Sequence, residues 1–314
     1  MDLLTHFLVP YIILAAVKSK NKLAGAFGGI SPDFDTIFVA WIGILSPNLF
    51  IFSHRGITHS FIFGFVTSTI FLYVISRKQV NQFIGNLIKR DITVKFTKTT
   101  IAIAYFGVLT HLLLDYLTTL GIPLFFPFSI TRYALNLYQS LDLITIILAA
   151  IVMLIIYMKI NYKYKKAAMA IFMIILISFG GLRAYEKINI LDDETPTLNG
   201  NYNQVTLYPT SNIFVWDVVK SNSQNSSYIV SQYNGWSHQE SDIQTFNTPS
   251  VENGNYSAGL NAIKIADTLP VVKQFKWNSY YTVVNAQYNS TKWDVTYSDI
   301  INSYTANNLT VTVP

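Results

Sequence analysis

The chain has 314 residues, of which 51% are hydrophobic and only 12% are charged, and its formal net charge is +5. It contains no cysteine, which excludes disulfides, thiolate metal ligands and a cysteine nucleophile. Its basic residues cluster at the ends of apolar segments and not along one soluble face, so no nucleic-acid partner is expected.

The composition changes along the chain and predicts two domains. Residues 1–185 are dominated by Ile, Leu, Phe, Val and Ala in long runs, whereas residues 186–314 are rich in Asn, Ser, Thr, Tyr and Val and have no long apolar run. This contrast predicts an α-helical, multi-pass membrane bundle followed by a small all-β domain. The lipid bilayer of the cell membrane is therefore an expected partner.

Apolar stretches of the first domain are expected to provide roughly five to seven membrane segments. The second stretch is too short to cross alone, and Ser46-Pro47-Asn48 interrupts the third. We therefore expect residues 23–52 to form a broken or re-entrant hairpin. The stretches are 3–17, 23–31, 36–52, 60–76, 99–119, 141–158 and 167–184.

Basic residues concentrate in three loops between these stretches. The positive-inside rule assigns such loops to the cytoplasm. The last apolar stretch then leads outward, so residues 186–314 are predicted to be extracytoplasmic. The three loops contain Lys18, Lys20 and Lys22; Arg77, Lys78, Lys89, Arg90, Lys95 and Lys98; and Lys159, Lys163, Lys165 and Lys166.

Polar residues from several segments are predicted to meet near the non-cytoplasmic side. Ionisable groups at membrane depth are costly, so they usually pair, bind a ligand or catalyse a reaction. Their positions relative to the basic loops put them at one common depth. They are His6, Asp33, Asp35, His54, His59, His111, Asp115 and Asp142.

The residue types in this group indicate a metal site. His111 and Asp115 are four residues apart, so they project from the same helix face and can bind one ion. Mixed imidazole and carboxylate ligands favour zinc, manganese or iron over magnesium or calcium. Arg55, which directly follows His54, could hold an anionic group such as a phosphate with two hydrogen bonds.

Each of these residues also has a simpler interpretation. His6 could be a structural hydrogen-bonding residue, and Asp33, Asp35 and Asp142 could serve only at helix starts. Arg55 could extend to the membrane interface. The metal-site hypothesis therefore depends on the whole group and not on any one member.

The second domain is predicted to consist of β-strands. Residues 292–297 alternate strictly between polar and apolar side chains, as in a half-buried strand. Strand-like runs occur at 202–208, 212–219, 227–233, 280–287, 292–297 and 308–313.

Five motifs occur in an order that resembles the YdjM-like family of membrane-bound metal-dependent hydrolases. A more distant similarity is to zinc-dependent phospholipase C. Gly121-Ile122 replaces the Gly-Thr that is frequent in the family, and Asp142 lacks the usual following proline. The motifs are Thr5-His6, Pro32-Asp33-Phe34-Asp35, His54-Arg55-Gly56-Ile57-Thr58-His59-Ser60, His111-x3-Asp115 and Pro127-Phe128-Ser129.

The resemblance implies a metal site and a hydrolytic activity. It implies that a divalent metal, zinc foremost, is held by residues of these motifs, with Asp142 as a further candidate. The ligands implied are His6, Asp33, Asp35, His54, His59, His111 and Asp115.

Three functions are compatible with the sequence. The first is a metal-dependent hydrolase of a phosphate ester or phospholipid-type substrate at the outer membrane face, with Asp33 or Asp35 as base and Arg55 holding the anionic substrate. The second is a transporter or ion-handling protein that uses the His/Asp cluster as a pathway. The third is a cell-surface binding protein whose β-domain binds the partner and whose metal site is structural.

Overall fold

A computed structural model describes residues 1–195, 202–222, 224, 226–301 and 308–314. These residues form two compact units. The helical unit contains residues 1–44 and 51–184, and the sheet unit contains residues 45–50 and 185–314. Each unit has buried hydrophobic clusters of its own.

The first part of the chain folds into helices whose starts are encoded locally. Asp2, Ser60 and Asp142 each accept a hydrogen bond from a backbone amide in the first turn of the helix that follows, so their side chains cap that helix. Thr97 and Thr100 form a reciprocal capping box. The helices are α1 (Leu3–Ala16), α2 (Lys22–Ile30), α3 (Asp35–Phe38), α4 (Ala40–Leu45), α5 (Phe61–Ile75), α6 (Lys78–Ile88), α7 (Lys98–Tyr116), α8 (Leu143–Tyr157) and α9 (Tyr162–Glu194).

Among the described residues, two helices, α7 and α9, are long and apolar enough to cross a membrane. The pair α5 and α6 would add a third span if it is counted as one, although it is bent by 79°. The prediction of roughly five to seven membrane segments is therefore not supported. Stretches 3–17 and 141–158 form helices of 14 and 15 residues, shorter than the ~20 residues that a span needs. Residues 23–52 break into short helices and 3₁₀ turns.

Glycines allow α2 and α7 to approach each other at backbone distance. A Cβ atom on Gly28 would overlap the carbonyl oxygen of Ala104, and a Cβ atom on Gly107 would overlap the carbonyl oxygen of Gly25. Small residues permit this close packing between apolar helices. The close approach brings the carboxyl end of α2 beside the last two turns of α7.

The sheet unit contains two four-stranded sheets. The first has the order β1-β2-β3-β4 and is antiparallel throughout; in the second, β5 and β6 are parallel and the remaining neighbours are antiparallel. The strands are β1 (Gln204–Pro209), β2 (Val215–Ser221), β3 (Ser227–Asn234), β4 (Gln239–Asn247), β5 (Ser250–Glu252), β6 (Thr282–Tyr288), β7 (Trp293–Asp299) and β8 (Asn308–Val313).

The prediction of a C-terminal β-domain is confirmed at the level of its sheets, and each predicted strand-like run overlaps a strand. The polar edge strand β4 was not predicted because most of its residues are exposed and show no apolar alternation. Two helices, α10 (Tyr256–Thr268) and α11 (Pro270–Asn278), were also not predicted. The buried face of α10 is formed largely by small residues such as Gly259, Ala262 and Ala266, which give a weak hydrophobic signal.

Candidate metal centre

Four side chains of the helical unit converge on one point. One ligand atom from each of Asp33, His59, His111 and Asp115 lies within 4.8 Å of the others. The Asp33 Oδ1 atom is 3.3 Å from His59 Nε2 and 3.7 Å from His111 Nε2. The Asp115 Oδ2 atom is 3.5 Å from His59 Nε2 and 3.3 Å from His111 Nε2. Asp33 is 14% exposed, and the other three side chains are fully buried.

The close contact between α2 and α7 sets the orientation of His111. Its Nδ1 atom lies 2.7 Å from the carbonyl oxygen of Gly29 at the end of α2. Because a carbonyl oxygen can only accept, Nδ1 carries the proton and donates it. The Nε2 atom of His111 therefore presents a lone pair, and it has no hydrogen-bond partner among the described residues.

His59 is oriented by a relay through Thr58. The Thr58 hydroxyl donates to Asp35 Oδ2 at 2.7 Å, so its only proton is used. The same hydroxyl lies 3.0 Å from His59 Nδ1 and must accept the proton of that nitrogen. The Nε2 atom of His59 consequently also presents a lone pair towards Asp33 and Asp115.

The two carboxylate oxygens of Asp115 differ in hydrogen bonding. Oδ1 accepts hydrogen bonds from the Met1 amino group and from Arg55 Nη2, the latter at 3.1 Å. Arg55, which is 4% exposed, also donates from Nη1 to Thr118 Oγ1 at 3.0 Å. Oδ2 of Asp115 has no hydrogen-bond partner among the described residues.

The contact of 3.3 Å between His59 Nε2 and Asp33 Oδ1 has hydrogen-bond geometry, but with the proton of His59 on Nδ1 both atoms are electron-pair donors. With these tautomers all four atoms face one another as electron-pair donors. Such an arrangement in a buried site is unfavourable unless a cation fills it. Ligands about 2.0–2.2 Å from a tetrahedral zinc ion lie about 3.3–3.6 Å apart. The measured distances of 3.3–3.7 Å fit that spacing. The residues therefore fit a divalent metal, and the mixed donor set suits zinc, manganese or iron.

A second group capable of holding an ion consists of Asp35, His54 and His59. It would need His59 Nδ1, which is committed to Thr58. Asp35 Oδ1 lies 2.8 Å from His54 Nδ1, so this carboxylate faces both His54 and Thr58. Burial alone would raise the pKa of Asp35, but the hydrogen bond with His54 and the nearby His59 ring outweigh it and hold that pKa below its ordinary value. Asp35 is therefore an ionised group that orients two histidines.

Of the remaining residues predicted from the sequence, His6 contacts the four-atom group and Asp142 does not belong to it. His6 stacks on His111 with ring centroids 3.7 Å apart, and its Nε2 atom is 3.2 Å from Asp115 Oδ1 without hydrogen-bond geometry. Asp142 is outside the group; its Oδ1 atom accepts from the amides of Ile144 and Thr145 at the start of α8.

Sequence reasoning did not assign a role to Thr58 in the metal centre, nor to the Gly29 carbonyl. Ser60, and not Thr58, caps the helix that follows this motif. The signal for Thr58 is its place directly before His59, because a hydroxyl there can reach the adjacent ring. The role of Gly29 depends on the packing of α2 against α7 and has no local signal.

Comparison with curated proteins and with solved structures finds no match for this chain. Residues 1–187, which include every residue of the metal centre, match the sequence model described as YdjM inner membrane protein. That match spans more than half of the chain and agrees with the apolar helices of the helical unit. The chain therefore belongs to the YdjM inner membrane protein family and is a membrane protein with a possible His/Asp metal site.

Proposed function

We propose that this protein is a metal-dependent hydrolase whose metal is held by Asp33, His59, His111 and Asp115. The observation that carries the proposal is the convergence of four unprotonated ligand atoms beside a partly exposed histidine. That histidine is His54, whose side chain is 41% exposed and whose ring centroid lies 5.3 Å from that of His59. Zinc, manganese and iron all suit this donor set, and a metal with more than four coordination positions retains one for a water molecule.

A bound divalent metal would supply Lewis acidity that brings the pKa of a water molecule near neutrality. The proton of that water then needs an acceptor close to the centre. Asp35 holds His54 with Nδ1 protonated, so Nε2 of His54 is the free basic nitrogen. We assign proton transfer to His54 and the orientation of its ring to Asp35.

Arg55 has a different role from the one expected from the sequence. Its two terminal nitrogens donate to Asp115 and Thr118, and the side chain is buried. We therefore assign Arg55 to the orientation of Asp115. We do not assign substrate binding to Arg55; groups nearer the exposed edge of the site would bind the substrate.

A lipid-type phosphate ester is the substrate class that we propose. The helix that begins at Asp35 exposes Ile37 and Phe38, which are 57% and 72% exposed. Apolar side chains beside the entrance suit a substrate that stays in the membrane. We propose that the basic residues at the starts of α7 and α9 are cytoplasmic and that the metal centre and the residues after α9 are on the outer side; the 15-residue helix α8 must then return the chain across the membrane between them.

Hydrolysis by the detergent-purified protein tests this proposal. Zinc-, manganese- and iron-loaded samples are assayed on a phosphodiester ester and on phospholipids in mixed micelles. We expect His54→Gln to retain the metal and to lower the rate about 10²–10⁴-fold, the range for loss of a general base. The matched control is His238→Gln, a histidine of the sheet unit that is 66% exposed. Equal rates in the two variants would overturn the assignment of His54.

A structural metal site is a second candidate, favoured by one observation. The four-atom group supplies as many protein ligands as a closed structural zinc site, and three of its side chains are fully buried. Under this alternative the metal-loaded protein hydrolyses none of the substrates, and removal of the metal lowers the unfolding temperature. A hydrolysis rate that increases in proportion to the metal content would rule out a purely structural role for the metal.

A further inference from the structure

A basic groove lies between α5, α6 and the segment that leads to α7. Its volume is about 710 Å³, and its lining includes Tyr73, Arg77, Lys78, Lys95 and Phe96. The three cations belong to the loop that the positive-inside rule assigns to the cytoplasm. The groove is at the end of α5 and before the start of α7. The metal centre is at the other ends of these helices: His59 precedes α5, and His111 and Asp115 are near the end of α7.

The walls of the basic groove are fixed by specific contacts. The Asn81 side chain donates to the carbonyl oxygen of Val94 at 3.2 Å and accepts from the amide of Val94 at 3.1 Å. Val94 is 4% exposed and packs into the hydrophobic cluster of α2, α5 and α7. The segment opposite α6 is therefore anchored at the point where it lines the groove.

The cations of the basic groove are available to an anion. The Arg77 guanidinium lies over the Tyr73 ring at 3.9 Å, and Tyr73 contacts Phe96 edge to face. Stacking on an aromatic face leaves the N–H edges of a guanidinium free to donate. Throughout the described residues, Arg77, Lys78 and Lys95 form no ion pair with a carboxylate. Of the described residues that line this groove, none carries a carboxylate.

The apolar surroundings indicate that the anion belongs to a lipid. Helix α6 turns away from α5 by 79° and exposes Phe83 and Leu87, at 69% and 72%. Such a helix, with apolar residues on one side and Lys78 at its start, is typical of a segment that lies in the membrane interface. The basic groove therefore opens at the depth of the phospholipid headgroups.

We propose that the basic groove binds the phosphate of an anionic phospholipid headgroup. Arg77 and Lys95 provide the charge, and the exposed side chains of α6 contact the acyl region. Anionic lipids attract basic residues at the cytoplasmic surface in general, but a fixed groove with three unpaired cations predicts one preferred lipid site.

Native mass spectrometry of the full chain in detergent tests this site. Phosphatidylglycerol, phosphatidylcholine and inorganic phosphate are titrated separately, and phosphate is then added as a competitor. The site variant is Arg77→Gln/Lys95→Gln, and the matched control is Lys163→Gln/Lys166→Gln, which removes the same charge from another basic loop. Circular dichroism and the unfolding temperature establish that both variants are folded.

We expect the wild type to bind one phosphatidylglycerol more tightly than phosphatidylcholine. The site variant should bind it roughly 30-fold more weakly, since each lost cation removes about a fivefold gain, and the control should remain within about twofold. Equal losses in both variants would mean a general charge effect and would overturn the proposal. So would wild-type binding by a folded site variant, or displacement of the lipid by millimolar phosphate.

Discussion

The helical unit and the sheet unit differ in how completely their buried polar side chains are hydrogen-bonded. In the sheet unit, Asp299 is 4% exposed and accepts hydrogen bonds from the amides of Tyr280, Tyr281 and Ile301. Among the described residues of 185–314, no buried side-chain polar atom lacks a hydrogen-bond partner. In the helical unit, by contrast, His6, His111, Asp115 and Asn136 present buried atoms without one, and those of His111 and Asp115 face each other.

This difference distinguishes buried polar groups that stabilise the fold from buried polar groups that are arranged to bind a ligand. A buried group that is fully hydrogen-bonded stabilises the fold and needs nothing more. Unpaired atoms that point at one another destabilise the protein until a ligand joins them. In the helical unit the unpaired atoms of His111 and Asp115 meet at the metal centre. The comparison therefore predicts that perturbations of the two units have separable effects on metal content and stability.

The largest effect is expected from Gly107→Ala, which tests how the metal centre is positioned. The new methyl group would overlap the Gly25 carbonyl oxygen and push α2 from α7. Overpacking of this kind costs about 1–3 kcal/mol of stability, and separation of Gly29 from His111 should also weaken metal binding. The measurements are metal content and chemical unfolding in detergent.

Gly181→Ala in α9 is the control for this substitution. A Cβ atom at Gly181 meets nothing within 4 Å, so this variant should be neutral or gain up to about 1 kcal/mol. If Gly107→Ala retains full metal content and stability, the close packing of α2 and α7 does not position the site.

A smaller effect is expected from Thr58→Val, which keeps the shape of the side chain and removes its hydroxyl. Without the relay from Asp35, His59 loses the partner that fixes its protonated nitrogen. Loss of such an orienting group typically costs 10–100-fold in metal affinity, that is about 1.4–2.7 kcal/mol. Competition with a chelator of known affinity measures it. Thr58→Ser should behave like the wild type, and a Val variant with unchanged affinity would refute the relay.

The smallest effect is expected in the sheet unit, from Tyr297→Phe. The Tyr297 hydroxyl donates to Asp267 at 2.7 Å, and its loss should cost about 1 kcal/mol while metal content stays unchanged. The matched control is Tyr256→Phe, at a position that is 59% exposed. A loss of metal in Tyr297→Phe would contradict the separation of the two units.

The same tyrosine predicts a pH dependence. Burial, together with the Asp267 hydrogen bond, raises the pKa of Tyr297 above the ordinary value of 10.0. The unfolded chain then loses this proton at lower pH than the folded chain. The stability contribution of Tyr297 is therefore complete below about pH 10 and falls as the pH rises above it. Tyr297→Phe should remove this fall, which unfolding curves between pH 8 and 11 would measure.

Part of this organisation could be predicted from the sequence. The four-residue spacing of His111 and Asp115 places both on one face of α7, and the charges of the loops place His6, Asp33 and His59 at the same end of the helices. Hydropathy overestimated the membrane segments because it measures apolar content and not helix length. Proline-bearing breaks and helices of 14 and 15 residues leave two or three candidate spans among the described residues.

The division of roles within the site depended on three-dimensional contacts. Asp35 orients His54 and Thr58, while Arg55 donates to Asp115, and no spacing in the sequence encodes either pairing. The ligand geometry also depends on a backbone carbonyl, that of Gly29, which carries no residue-type signal. The sequence therefore predicts which chemistry gathers at this end of the helices better than it predicts what each residue does there.

The most direct test of the account is the metal content of the detergent-purified protein. Elemental analysis would compare the wild type with His59→Ala and Asp33→Asn, and with His238→Ala as the control. The account predicts stoichiometric zinc, manganese or iron in the wild type and the control, and its loss in both site variants. A well-folded wild type that contains no metal, even after incubation with each ion, would contradict it.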